Sequence, residues 1–128
     1  MKKKAKAEAP KLVFTDRAIS DLLAIETYSV SSWGKRVTTK YIEKFEKAFK
    51  LLELNPDLLL ANHSLGESIL FYRVEKHLLA CVKIKTDIIV LTIEHANRDL
   101  VPFLHELLPT VSAEVAVLLN KAGIIDRK

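Results

Sequence analysis

Residues 68–99 read SILFYRVEKHLLACVKIKTDIIVLTIEHANRD. Three apolar runs, rich in β-branched and aromatic residues, follow one another with only short polar breaks. This pattern predicts three consecutive antiparallel strands at about 68–76, 78–86 and 88–95, with Thr86-Asp87 as the turn between the last two. Alternation along the middle run puts Leu79, Cys81 and Lys83 on one face and Leu78, Ala80, Val82 and Ile84 on the other. In the last run Ile89, Leu91, Ile93 and His95 share a face, so His95 is expected at the end of an apolar row. That run ends in polar groups, His95, Asn97, Arg98 and Asp99. An imidazole, an amide and a guanidinium at one end of a meander suit either chemistry or the gripping of an acidic partner.

Upstream, Lys11 to Phe14 is short and β-prone and predicts a first strand. Thr15 and Asp16 are good helix-start residues, and Ala18, Ile19, Leu22, Leu23 and Ile25 then recur at helical spacing, which predicts a helix over about 16–31. Ser31-Ser32-Trp33-Gly34 breaks the pattern. A second helix over about 35–54 carries its apolar stripe at Val37, Tyr41, Phe45, Ala48, Phe49 and Leu52 and stops at Asn55-Pro56-Asp57. So short a break between two long helices predicts an antiparallel helical hairpin. Leu58 to Ser64 reads as a loop with exposed leucines. Downstream, Asp99 to Leu108 predicts a short helix, and Val111, Val115, Leu118, Leu119 and Ala122 predict a final amphipathic one closed by Gly123.

The fold class expected from this order is α+β: an N-terminal strand and a helical hairpin packed on a mainly antiparallel meander sheet (β-α-α-β-β-β), followed by C-terminal helices. The expected organisation is a flexible basic tail over 1–10, a compact domain over 11–100 and a helical extension over 101–128 on or beside that domain.

At 128 residues the chain is one domain by size, and 49% apolar with 28% charged residues excludes the disordered class. Lone Cys81 has no partner for an internal bridge, which fits a reducing compartment. No apolar run approaches the roughly 18–20 residues of a membrane span, nor does the N-terminus carry a signal-peptide core, so the expected location is cytoplasmic and no membrane partner is expected. The net charge of +4 sits mostly in the tail: Lys2, Lys3, Lys4 and Lys6 against Glu8 give +3 there, and the remainder carries 16 basic and 15 acidic residues. The folded body is therefore nearly neutral, and overall charge is no argument that it binds nucleic acid.

Several chemistries find no support. There is no Gly-rich phosphate loop, no nucleophile elbow and no metal-ligand spacing among His63, His77, His95 and His105, so neither metal nor cofactor is expected. Cys81 reads as a small mid-strand hydrophobe, and Tyr28, Trp33, Tyr41, Phe45 and Phe49 read as core. Cleaving RNA through its 2′-hydroxyl needs a base, an acid and cations on the phosphate. The candidates are Arg73, His95 and Arg98, with Lys83 and Lys85 as additional cations. Each also has a purely structural reading: His95 as a hydrogen-bonding strand end, Arg98 paired with Asp99 or a nearby carboxylate, Arg73 snorkelling at the core edge, the lysines as a solvated strand face.

Three stretches together resemble the RelE/ParE toxin superfamily of bacterial type II toxin–antitoxin systems over about residues 11–100. They are F-T-D-R-A-I-S-D-L-L-A-I (Phe14 to Ile25), the hairpin marked by Trp33-Gly34, Tyr41 and the Leu52-to-Pro56 stop, and the closing I-E-H-A-N-R-D (Ile93 to Asp99). The basic residue that relatives carry on entering the second meander strand is absent at His77-Leu78-Leu79, and no tyrosine follows Tyr72. Both departures favour the ParE side. That resemblance implies a toxin, of the kind tied to plasmid stabilization, that binds and inhibits DNA gyrase without catalysis and is neutralised by a cognate antitoxin. Two alternatives stay open. One is a RelE-like ribosome-dependent endoribonuclease acting on messenger RNA through Arg73, His95 and Arg98. The other is a diverged, inactive member that binds only an antitoxin or itself as a homo-oligomer. Arg73, His95, Asn97 and Arg98 are the candidate target-binding residues.

Overall fold

A computed structural model of the chain describes residues 10–62, 66–99 and 102–103. The elements are β1 (Leu12–Phe14), the helical stretch α1 (Asp16–Leu54), a 3₁₀ turn (Pro56–Leu58), β2 (Leu60–Asn62), β3 (Gly66–Val74), β4 (His77–Ile84) and β5 (Asp87–His95). The strands form one sheet in the order β1-β5-β4-β3-β2. β1 runs parallel to β5, and every other pairing is antiparallel. This is the expected α+β arrangement. The expected tail, the loop tip at 63–65 and the expected helices beyond Phe103, including Val111–Ala122, lie outside the described residues.

The helix starts where its capping residue is. Thr15 is extended (φ −71°, ψ 163°) and its hydroxyl accepts the Ala18 N–H at 3.0 Å. The same hydroxyl donates to the Leu91 carbonyl at 2.8 Å, while the Thr15 N–H bonds the Val90 carbonyl at 3.1 Å. One buried side chain thus caps α1 and pins it to β5. β1 is too short to cover the edge of β5 beyond Val90. There Asp21 takes over, accepting the Ile93 N–H at 3.0 Å and the Thr92 hydroxyl at 2.6 Å.

The 39 residues of α1 would extend about 58 Å if straight. Instead Phe14, before its start, meets Phe49 near its end with ring centroids 4.9 Å apart, and the Leu12 N–H reaches Glu53 Oε2 at 2.9 Å. The reversal is at Gly34, whose φ of 87° and ψ of 170° leave the helical region altogether. α1 is therefore the expected hairpin, with arms 16–33 and 35–54. Phe45, Ala48 and Leu52 on the second arm and Ala18 on the first are buried against Val74, Leu79, Cys81, Ile88, Val90 and Ile93 of the sheet. The opposite sheet face holds Ile69, Phe71, Ala80, Ile89 and Leu91, joined by Phe103.

Three sequence expectations change. Leu60–Asn62 is an edge strand on β3 rather than a loop, because the 3₁₀ turn after Pro56 buries Leu59 in the core and sends the chain back along β3. The β4–β5 turn lies at Lys85-Thr86, one residue earlier than expected, with Lys85 at φ 58°. Asp87 instead opens β5, where its carboxylate accepts the Lys11 N–H at 3.2 Å. Most consequential is a bulge. Ala80 pairs with Thr92 but Cys81 pairs with Val90, so Leu91 is the extra residue and the alternation of β5 slips by one. Ile89 and Leu91 stay on the outer face, whereas Ile93 packs with the helices. His95, two residues further on, is therefore turned to the helical side.

Candidate functional site

The two arms of α1 and the end of the sheet line an open cleft of about 680 Å³. The first arm contributes Ala24, Ile25, Tyr28 and Ser29, the hinge Trp33, and the second arm Val37 and Tyr41. Lys76, His77 and His95 line it at the β3–β4 turn and the tip of β5. Near the hinge the arms extend beyond any strand that could cover them. That is why Tyr28 and Trp33, expected in the core, are 62% and 55% exposed, with Val37 at 48%. Their rings pack edge-to-face on each other at 5.7 Å, presenting a rigid aromatic surface to solvent. Phe45 is core as expected, while Phe49 and Tyr41 are partly buried beside it.

The sheet end of the cleft is a chain of polar rings, with His77 half-buried and His95 exposed. His77 and His95 are direct cross-strand partners with ring centroids 5.4 Å apart. Tyr41 Oη lies 2.8 Å from His77 Nδ1 and also accepts the Lys76 N–H at 3.4 Å. With its oxygen already accepting, the phenol donates to His77, which fixes Nδ1 as an acceptor and places the imidazole proton on Nε2. His95 has the same tautomer for a parallel reason: its Nδ1 accepts the Asn97 N–H at 3.2 Å. Burial, and secondarily the neighbouring His95, lowers the pKa of His77 below the ordinary imidazole value. Burial raises the Tyr41 phenol, partly offset by the Lys76 hydrogen bond. Both groups are therefore neutral at pH 7.

The residues singled out in sequence do not converge. Arg73 is exposed, and its Nε donates to the Glu75 carbonyl at 2.6 Å. It pairs across the sheet with Leu78, on the face away from the helices. Arg98 Nη1 reaches Glu94 Oε1 at 3.5 Å and its guanidinium stacks over Phe103 at 4.0 Å, with Arg17 on the same ring at 5.1 Å. Arg17 also pairs with Asp21 and Glu94 at 3.3 Å each, so Arg98 belongs to an interlocked network of charges. Asn97 is exposed in the turn after β5, Lys83 is exposed and Lys85 is a turn residue. Only His95 of the set lines the cleft. Cys81 is buried, and desolvation pushes its thiol up to about 12, which removes it as a nucleophile. Among the described residues no group of three or more His, Cys, Asp or Glu side chains is placed to hold a metal. Nor is any described helix long and apolar enough to cross a membrane.

Sequence reasoning missed Tyr41 and His77. A two-residue turn at Lys85-Thr86 with regular pairing would have set His77 opposite Glu94; the bulge at Leu91 moves His95 into that position. Nothing in the local sequence marks this bulge.

No curated protein matches the chain. Among solved structures it is similar to one described as the chromosomal ParDE TA system from P. aeruginosa, with a TM-score of 0.61 and 18% identity over 70% of this chain and 99% of that one. That likeness is one of fold. A family model described as "ParE toxin of type II toxin-antitoxin system, parDE" matches residues 12–100, which takes in β1, the hairpin and the whole meander. On that match the chain belongs to the ParE toxin family of type II toxin–antitoxin systems.

Proposed function

We propose that this toxin acts by binding rather than by catalysis, that its target is DNA gyrase, and that a cognate antitoxin neutralises it by occupying the cleft between the hairpin arms. The observation that carries the reading is the dispersal of the cations. RNA cleavage needs base, acid and phosphate-binding cations around one atom. Arg73 leaves the sheet from the face opposite His95 and is held at the β3–β4 turn by the Glu75 carbonyl, outside the residues that line the cleft, and Arg98 is committed to Glu94 and Phe103. What the chain does present is an aromatic and aliphatic cleft with Trp33 and Tyr28 half out of water, the composition of a protein-binding hot spot. The purified protein is expected to inhibit gyrase supercoiling in vitro, and its expression to induce DNA-damage signalling. Unimpaired supercoiling at stoichiometric excess would reject the target.

One observation keeps a ribonuclease reading alive. The paired imidazoles of His77 and His95, with Lys76 and Tyr41 beside them, are groups able to serve as acid and base. If they do, messenger RNA should be cut when the protein is added to translating ribosomes, and His77→Ala with His95→Ala should abolish cutting. Harm to growth that survives that double substitution points back to binding.

A further inference from the structure

The imidazole pair gives the cleft a property beyond shape. We propose that His77, backed by His95, is a proton-taking anchor for a carboxylate, so that the segment filling the cleft is an acidic amphipathic one and its binding is coupled to proton uptake. The proposal rests on the cleft being a partner-binding surface.

Charge complementarity names the occupant. The second arm carries Arg36, Lys40 and Lys44 at intervals of four, one exposed row beside the cleft residues Val37 and Tyr41. Lys76 joins them from the β3–β4 turn. Two carboxylates lie near this group: Glu75, which Lys44 holds at 3.0 Å, and exposed Glu43, one helical turn from Lys40, so the four cations outnumber the acids beside them. Arg73, behind the same turn, is directed at the Glu75 carbonyl. The cleft residues of the first arm, Ala24, Ile25, Tyr28 and Ser29, bring no charge. An apolar ridge lying between the arms would thus have a neutral wall on one side and a row of cations on the other. A helix with an apolar stripe and acidic flank matches both walls.

The two histidines are not equivalent as proton acceptors. Protonating His95 on Nδ1 would break its bond from the Asn97 N–H, because both atoms would then be donors. Protonating His77 on Nδ1 keeps the pair together: the Tyr41 hydroxyl rotates, its oxygen accepts the ring proton as a second bond beside the Lys76 N–H, and its own proton turns to water in the cleft. Burial, and secondarily the neighbouring ring, lower the proton affinity of His77 while the cleft is empty. A carboxylate arriving beside it supplies the counter-charge that burial withholds, and the ring takes one proton from solvent as the contact forms. The sign follows. A group that gains affinity for protons in the complex makes the complex tighter as pH falls towards its own titration range.

Trp33 is the single tryptophan of the chain and lines the cleft, so its fluorescence reports occupancy directly. The probe is a synthetic helical peptide of about fifteen residues, with a leucine stripe and glutamates along one flank, beside the same peptide with glutamines. The glutamate peptide is expected to bind the full chain about tenfold more tightly at pH 5.5 than at pH 7.5, about 1.4 kcal/mol, while its own carboxylates remain largely ionised. The glutamine peptide, and the glutamate peptide with His77→Asn, should show little of this slope; His95→Gln should retain most of it. Circular dichroism of each variant establishes that it is folded. Equal binding of both peptides at all pH values would overturn the proton coupling while leaving the cleft as a binding surface. Tighter binding at the higher pH would also overturn it, since it would mean that the occupant requires uncharged rings. If neither peptide perturbs Trp33 at either pH, the partner-binding reading of the cleft falls, and the anchor with it.

Discussion

Gly34 and His77 are the two residues on which the cleft depends most directly, for different physical reasons. The backbone of Gly34, at φ 87° and ψ 170°, occupies a region essentially closed to residues with a side chain. A Cβ there would meet nothing within 4 Å. Gly34→Ala is therefore expected to lose about 1–3 kcal/mol of stability through backbone strain alone, measurable by urea unfolding; an unchanged midpoint would mean that the hinge relaxes. His77 carries a pH signature. Its folded-state pKa is lowered, so the unfolded chain binds the proton more readily, and stability is fully present above the ordinary imidazole value of about 6.5 and lost as pH falls below it. His77→Asn, which preserves an acceptor for Tyr41, should flatten that acid loss in thermal melts between pH 7.5 and pH 5. At Thr15 one hydroxyl both caps α1 and satisfies the Leu91 carbonyl. Thr15→Ala should cost about 1–2 kcal/mol, and Thr15→Ser much less, by the same unfolding measurement.

At the scale of elements, the hairpin arms separate stability from recognition along their length. Phe45 is wholly buried opposite the sheet, and Phe45→Ala is expected to cost about 3–5 kcal/mol. Trp33, half exposed at the hinge, should change stability by no more than about 0.5 kcal/mol when replaced by alanine, yet weaken partner binding more than tenfold. Calorimetric unfolding and a pull-down with the cognate antitoxin would separate the two effects. These elements also mark what the sequence could and could not convey. The meander, the helix start at Thr15 and the break before Gly34 were legible because each is written in local chemistry: alternation, a capping hydroxyl, a glycine. Three features were not. The bulge at Leu91 is a choice between two registers whose local residues are equally β-prone, and it alone decides which face His95 takes. Strand β2 exists because an edge of β3 is available to it, and that edge is formed by distant sequence. The exposure of Tyr28 and Trp33 depends on where the sheet ends. Their apolar character read as core, and local sequence could not tell a packed aromatic from an open one.

At the scale of the whole molecule, charge is distributed by side. Cations outnumber carboxylates along the second arm, where Lys35, Arg36, Lys40, Lys44, Lys47 and Lys50 stand against Glu43, Glu46 and Glu53, whereas Arg17 and Arg98, at the other edge, are matched by Asp21 and Glu94 and held over Phe103. An acidic partner should therefore associate along the hairpin side, and its association rate should fall with added salt, whereas a purely apolar partner would show little salt dependence. Stopped-flow association followed through Trp33 at two ionic strengths would distinguish them.

The parallel pairing of β1 with β5 has a consequence in time as well as in space. Thr15 and Leu91 are 76 positions apart, yet their hydrogen bond fixes the helix to the sheet. β1 can be placed only after β5 has been synthesised, and contacts of such long sequence separation form slowly. During translation the hairpin and the first meander strands therefore exist before the element that joins them. The toxin becomes complete only when almost the whole domain has left the ribosome.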